Sequence, residues 1–293
     1  MKITVFTPAY NRGYILPELY RSLQAQTFAD FEWLVIDDGS SDRTPELFKA
    51  WEQEQNPFSI RYFRVENGGK HRAINKGVNL ARGELFFIVD SDDRLTPDAL
   101  ESVAKWEEGL PDKSCFCGVA GNRGNGSQHV IGTTFEGEYV DATSLERTRL
   151  GITGDKAEVF YTKILRNYRF DEIEGEKFLT ESTVWDRMAY NGLKLRWFNH
   201  TIYICDYLED GLTRNMKRIF SENPKGTALY IKQQIKHYNY DLRGRLSNYN
   251  LYYDFVGART GLRKAARYLE IHPMTLLAAT CLVRLRKLML QRP

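Results

Sequence analysis

The first 110 residues alternate between short apolar runs and segments of helical period, and every apolar run ends in a polar, turn-forming sequence. "KITVFT" is followed by Leu16, Leu19, Tyr20 and Leu23 at helical spacing, with Pro17 in the first turn. "FEWLVID" precedes a helix opened by Thr44-Pro45 and carrying Leu47, Phe48 and Trp51. "IRYFRV" precedes a third helix through Ala73, Ile74, Gly77, Leu80 and Ala81 that ends near Gly83, and "ELFFIVD" is a fourth strand. Parallel neighbours need a crossover, and a helix is the usual one, so this alternation predicts an α/β fold. The fold class is a Rossmann-like, mostly parallel sheet with helices on both faces.

In such sheets ligands bind outside the carboxyl ends of the strands. Those ends read "TPAYN", "DDGSSD", "ENGGKH" and "DSDD", so one rim gathers Asp37, Asp38, Lys70, Asp90 and Asp92. The last is the sharpest: in "FFIVDSDDRLTP" an apolar run gives way to three carboxylates within four positions. Clustered acids repel one another and burial raises the cost, so they call for a counter-charge, and a divalent cation is the usual one. A solvated turn before a helix capped at Thr96-Pro97 is the other reading of the stretch. An extended "DSD" would turn Asp90 and Asp92 to one side and Asp93 elsewhere.

Beyond residue 110 the pattern loosens, with β-like runs at 115–120, 129–140 and 157–161, a helix from about Glu181 and the long run "LKLRWFNHTIYICDYL". After "EDGLTRN" the chain reads as helical to its end. At 293 residues it exceeds the usual single core, which suggests a large α/β domain over 1–210, divided near 110, and a helical C-terminal extension over 211–293. Cys115, Cys117, Cys205 and Cys281 have no zinc-site spacing and no signal-peptide pattern precedes them, so a reducing, cytoplasmic location is expected. Residues 261–293 hold seven Lys/Arg against one Glu, a net of +6, so of the whole-chain +3 the remainder carries −3. A basic tail on a slightly acidic body suggests peripheral contact with an anionic membrane, or else a solvated helix face. Its apolar run, Met274 to Val283, is too short to span a bilayer.

"TPAYNRGYILPELYRSLQAQTFADFEWLVIDDGSSDRT" followed by "ENGGKHRAINKGVNLARGELFFIVDSDD" resembles the nucleotide-sugar-binding half of the family 2 glycosyltransferases, inverting enzymes of the GT-A fold. The close likeness covers roughly residues 3 to 100, and a weaker one extends through Glu181 to "DGLTRN". The resemblance implies a metal-dependent enzyme moving a sugar from a UDP-sugar or other nucleotide-sugar donor to a glycan or lipid-linked glycan acceptor in cell-surface polysaccharide synthesis. It implies Mn²⁺ or Mg²⁺ at Asp92, with Asp90 on the ribose or sugar and Ser91 beside it. Asp38 would accept hydrogen bonds from the base, the backbone at Pro8, Ala9, Tyr10 and Asn11 would flank it, and Lys70 would approach the donor. Asp37 serves either the site or the amides of its own turn.

The same resemblance places the catalytic base at Glu181, at the start of a later helix, where it would take the acceptor's proton. Asp186 lies five residues on, roughly 140° around that helix, and cannot share its direction. Asp210, Thr213, Arg214 and Asn215 would close over the donor. Three departures stand out. Glu181-Ser182 replaces the common Glu-Asp, Ala73-Ile74-Asn75 replaces Ala-Arg-Asn, and Leu193 replaces the glutamine of the processive synthases' Gln-x-x-Arg-Trp motif. Lys70 or Arg72 is positioned to compensate for the missing arginine. "FFIVDSDDRLT" also resembles the Asp-x-Asp of aspartate-nucleophile phosphohydrolases, but that reading leaves "TPAYN" and "DDGSSD" without a purpose. A non-catalytic sugar-nucleotide or glycan-binding module is the remaining alternative; no nucleic-acid partner is implied.

Overall fold

The structure, a computed structural model, describes residues 1–126, 129–205 and 215–290. The chain divides into two compact units, one built from Met1–Arg169 together with the segment from Met188 through the last strand, the other from Phe170–Arg187 and the helices from Met216 onward.

The first unit holds nine strands among the described residues: β1 (Ile3–Ala9), β2 (Phe31–Asp37), β3 (Ser59–Arg64), β4 (Leu85–Ile88), β5 (Arg94–Leu95), β6 (Phe116–Asn125), β7 (Tyr139–Ala142), β8 (Lys156–Tyr161) and β9 (Lys194–Cys205). They form one sheet in the order β3-β2-β1-β4-β8-β6-β9-β5, with β7 on β9. β1 to β4 are mutually parallel, β8 runs against β4, and β6 and β9 return to the first direction, so six of the nine strands point one way. The mostly parallel α/β expectation is met.

Helices α1 (Leu16–Gln24), α2 (Thr44–Trp51), α3 (Lys70–Leu80) and α4 (Ala99–Glu108) follow the first strands. Alternate residues of the sheet, Ile3, Val5, Trp33, Val35, Leu85 and Phe87, form one core with Leu16, Leu19, Phe48, Trp51, Leu100 and Val103 of α1, α2 and α4. The residues between them face the other way, where Phe6 stacks on Phe86 with ring centroids 4.9 Å apart. α3 covers that side, and Gly77 lies so close to Phe6 that a Cβ there would stand 2.2 Å from its ring. Helices therefore cover both faces. The "ELFFIVD" strand stops at Ile88, and residues 90–93 form a turn closed by the Asp93 amide on the Asp90 carbonyl at 3.2 Å, not an extended run. The expected helix cap at Thr96 is also corrected. Arg94–Leu95 pairs with β9, the Thr96 hydroxyl bonds Asp98 at 2.7 Å, and α4 starts only at Ala99.

Residues 129–140 are mostly irregular, with a bridge at Val130 and β7 beginning at Tyr139. Thr133 is tied to Gly151 and Thr153 through its side chain and amide, which draws the backbone out of a sheet ladder. Arg196 of β9 makes a two-pronged contact with Asp141 at 2.7 and 2.8 Å, and the Trp197 indole bonds the Ala142 carbonyl at 3.0 Å. The "RW" pair thus fastens β7 to β9.

A short helix α5 (Thr162–Leu165) belongs to the first unit, and α6 (Ser182–Tyr190) begins within the second. Trp185 meets Phe170 edge-on at 5.8 Å and Gln234 donates to Asp186 at 2.6 Å. The Glu176 carboxylate accepts the Lys225 and Gly226 amides at 2.8 and 2.7 Å, satisfying donors in the first turn of α8 (Pro224–His237). α7 (Met216–Glu222), α9 (Leu242–Thr260), α10 (Leu262–Tyr268) and α11 (Pro273–Leu290) complete it. Ala228, Ile231, Tyr252, Val256, Ala265, Ala266, Leu269 and Leu276 form its core.

Candidate active site

Four loops leave the carboxyl ends of β1 to β4, and side chains bind them together. Asn11, in the left-handed region at φ 53°, donates its amide to Ser40 Oγ and accepts the Ser41 amide on Oδ1, each at 2.8 Å. The Gly13 amide reaches Asp42 Oδ2 at 2.8 Å. Ala9 continues the ladder by accepting the Asp38 amide at 2.8 Å; Pro8 precedes it within β1, and Tyr10 is half exposed at the mouth of the loop. Asp37 accepts the Ser40 amide at 2.8 Å and the Tyr62 hydroxyl, so it serves its own turn.

Asp38 is buried and links β2 to the loop before α3. Its carboxylate accepts the Gly68 and Gly69 amides at 2.7 and 2.8 Å and the Asn67 side chain at 3.1 Å. Gly69 supplies the φ of 96° that lets the chain turn onto that carboxylate and enter α3. Arg72 donates to the Gly68 carbonyl at 2.6 Å, pinning the same turn from one helical turn further on.

That turn delivers Lys70 to the acids after β4, with Nζ 2.6 Å from Asp90 Oδ1. Arg123 of β6 stands on the other side, its Nη1 3.8 Å from Asp90 Oδ2 and its guanidinium 4.2 Å above the Tyr203 ring. Tyr203 of β9 accepts the Asp90 amide at 2.9 Å and donates its hydroxyl to Asp93 at 2.8 Å. Asp92 lies 4.0 Å from Arg12, and Ser91 is buried between the acids.

The electrostatics differ along the turn. Burial opposes ionisation of Asp90, but the charges of Lys70 and Arg123 outweigh it and hold its carboxyl below the ordinary range. Burial pushes Asp92 up, and the negative charge of Asp90 adds to the effect. Asp93 is pushed up to about 7 by burial and by both neighbouring acids. Lys70 and Arg123 lie against Asp90, so Asp92 and Asp93 are the two acids of the turn whose ionised form burial and their neighbours disfavour. Among the described residues no group of three His, Cys, Asp or Glu forms a protein cage for a metal. A divalent ion that also binds substrate phosphates needs only one or two carboxylates, and the hard oxygens of Asp92, disfavoured as a bare anion by burial and by Asp90, fit that manner of binding.

Glu181 directly precedes α6 in the second unit, its carbonyl accepting the Val184 amide at 2.9 Å. Asn215 precedes α7; Asp210, Thr213 and Arg214 lie outside the described residues. Sequence reasoning missed Arg12, Arg123 and Tyr203. Arg123 carried a signal, because a cation inside "FCGVAGNRGN" must find a partner when that strand is buried.

A parallel half-sheet whose strand ends assemble an acid turn, three cations and an Asp-held glycine loop defines a GT-A-like enzyme. The chain belongs to glycosyl transferase family 2, whose family model matches residues 4–169, and it is a glycosyltransferase. It is 30% identical over 227 residues to the GalNAc(5)-diNAcBac-PP-undecaprenol beta-1,3-glucosyltransferase of Campylobacter jejuni, covering 75% of this chain and 71% of that one. It is 28% identical to the glycosyltransferase GlyG of Streptococcus pneumoniae over 69% of each chain. In fold it is similar to S. aureus TarS in complex with UDP-GlcNAc, with a TM-score of 0.63, 16% identity and coverage of 97% of this chain and 92% of that one. A mannosyltransferase from Pyrobaculum calidifontis in complex with GDP-Man and Mn²⁺ gives a TM-score of 0.57 at 17% identity, covering 97% and 80%.

Proposed function

We propose that this chain transfers a sugar, with inversion at its anomeric carbon, from a UDP-sugar to a glycan or lipid-linked glycan acceptor in cell-surface polysaccharide synthesis. The observation that carries the reading is the Asp90–Asp93 turn, where Lys70 and Arg123 pair with Asp90 and the neighbouring Asp92 carboxylate stands beside them. Hard oxygens beside fixed cations suit a diphosphate bound through a divalent ion. The Campylobacter relative's name supports a lipid-linked acceptor, and the TarS complex supports a UDP-sugar.

In the reaction the acceptor oxygen bonds to the anomeric carbon as the bond from that carbon to the diphosphate oxygen breaks, and the electron pair leaves with the nucleoside diphosphate. Glu181 takes the acceptor's proton. Lys70 holds Asp90 ionised and in place, and the loop of Pro8 to Asn11 with Asp38 receives the nucleoside. Asp92 would hold Mn²⁺ or Mg²⁺, which would supply neutralisation of the charge that develops on the diphosphate.

The test is a thermal-shift screen of nucleotide sugars with Mn²⁺, followed by turnover with and without excess chelator. A UDP-sugar should raise the melting midpoint, since binding to the native state alone stabilises it. Chelation and Asp92→Ala should each abolish transfer, and Mn²⁺ or Mg²⁺ should reverse the former. Full activity in excess chelator would remove the metal, and a shift with GDP-sugars alone would change the base.

A further inference from the structure

The C-terminal helix α11 has two apolar sides, and only one belongs to a core. Leu276 and Ala279 are fully buried and Thr280 nearly so, on the side that meets the rest of the second unit. On the other side Met274, Leu277, Leu282, Leu285 and Met289 stand exposed, by 40% to 66%, with Cys281 among them. At 100° per residue these six span an arc of roughly 140°, and Arg284 and Arg286 fall roughly 100° to either side of Leu285. The outward face is therefore an apolar stripe with an arginine along each margin. α11 contains no Asp or Glu. Arg263, Lys264 and Arg267 of the neighbouring α10 are exposed as well.

We infer that this outward face of α11 docks on an anionic lipid surface. A stripe of this size is rarely left to water without an interaction to serve. The charge around it selects the occupant. A second copy would bring another Arg286 margin and another basic α10 against the first, and like charges across an interface cost free energy, whereas acidic headgroups complement Arg286 and the exposed Arg263, Lys264 and Arg267. Arginine stems at the edges lie along apolar surface while their heads reach the headgroup layer. No helix among the described residues is long and apolar enough to cross a membrane, so the helix would lie in the interface plane. Arg284 also reaches Asp254 at 3.0 Å, which fixes that margin to α9. The side chain of Lys287 and residue Arg292 lie outside the described residues, and the geometry does not need them.

The inference is independent of the donor site, because its readout is binding and not turnover. The full chain is floated with vesicles of phosphatidylcholine alone and of phosphatidylcholine with about one third phosphatidylglycerol, the latter composition giving the anionic surface. Binding to the anionic vesicles is expected, and the triple substitution Leu282→Gln, Leu285→Gln, Met289→Gln should lower partitioning at least about tenfold. These side chains are outside the core, so melting should be unchanged, and a melting curve checks that. Arg286→Gln should lower partitioning about fivefold, and added salt should act in the same direction. Equal binding to both vesicles, or equal binding by the triple variant, would overturn the inference. Absence of vesicle binding together with a concentration-dependent dimer that the triple variant loses would overturn it in favour of a second copy.

Discussion

Lys70 Nζ lies 2.6 Å from Asp90 Oδ1, joining the first residue of α3 to the acid turn after β4. Both side chains are about a quarter exposed, so solvent weakens the pair without removing it. The contact closes a chain of constraints in which Asp38 fixes the Gly68-Gly69 turn, that turn aims α3, and α3 delivers the ammonium to Asp90. Lys70→Met should leave Asp90 with only the more distant charges of Arg123 and Arg12. Turnover is expected to fall on the order of 10², with a stability loss of about 1–2 kcal/mol by denaturant titration. Unchanged turnover would reduce the pair to a surface contact.

Tyr203 holds the same turn from beneath. Tyr203→Phe removes the acceptor for the Asp90 amide and the donor for Asp93 while keeping the ring under Arg123. Leaving buried polar groups unpaired costs about 1–3 kcal/mol, so the melting midpoint should drop. If the turn positions a metal ligand, the Mn²⁺ concentration giving half-maximal turnover should also rise, by roughly tenfold. A lowered midpoint with an unmoved Mn²⁺ dependence would make the hydroxyl a stability element only.

How much of this was readable beforehand follows from the range of the interactions. The apolar runs, their polar ends and the buried stripe Leu16, Leu19, Tyr20, Leu23 are local patterns, and the structure places them as read. Asp38 was visible as a strand-end acid, but its bonds go to amides 30 and 31 residues away, which no local pattern specifies. Arg123 and Tyr203 come from strands separated from the acid turn by 33 and 113 residues, and their neighbours read as ordinary sheet. For residues 90–93 the sequence allows both an extended run and a turn, because the apolar period runs into Val89, and the structure has the turn. What stops the strand there is the Asp93 amide turning back on Asp90, a choice made by tertiary contacts with β9.

Lys156 gives a test of pH dependence away from the acid turn. Its side chain is buried and donates to the Ile131 carbonyl at 2.9 Å. Burial, assisted by the charge of Arg147, pushes its pKa down to about 8. The unfolded chain takes up this proton near pH 10.4 and the folded protein only near 8, so stability falls as pH drops through that window and levels off below it. Lys156→Met removes the cost but leaves the carbonyl without its donor. The variant should be more stable at pH 7 by about 1–3 kcal/mol, and the gap should shrink as pH rises from 8 towards 10. Thermal melts of both proteins across that range check it, and a pH-independent gap would show that the amine stays charged in the fold.

The last expectation concerns Glu181, on which the proposed chemistry turns. In a single inverting displacement the base receives the acceptor's proton in the transition state and does little to hold the diphosphate, so its loss should spare donor affinity. Glu181→Gln keeps the size and removes the basicity, and turnover should fall on the order of 10² or more. Asp186 supplies the internal control. It is buried and bonded to Gln234 at 2.6 Å, so Asp186→Asn should affect melting more than chemistry. The measurements are turnover with a competent acceptor and donor binding by calorimetry on both variants. Near-normal turnover in Glu181→Gln, or a collapse of donor affinity equal to that of turnover, would move the base elsewhere and leave Glu181 as an acid at a helix start, favoured there by the helix dipole alone.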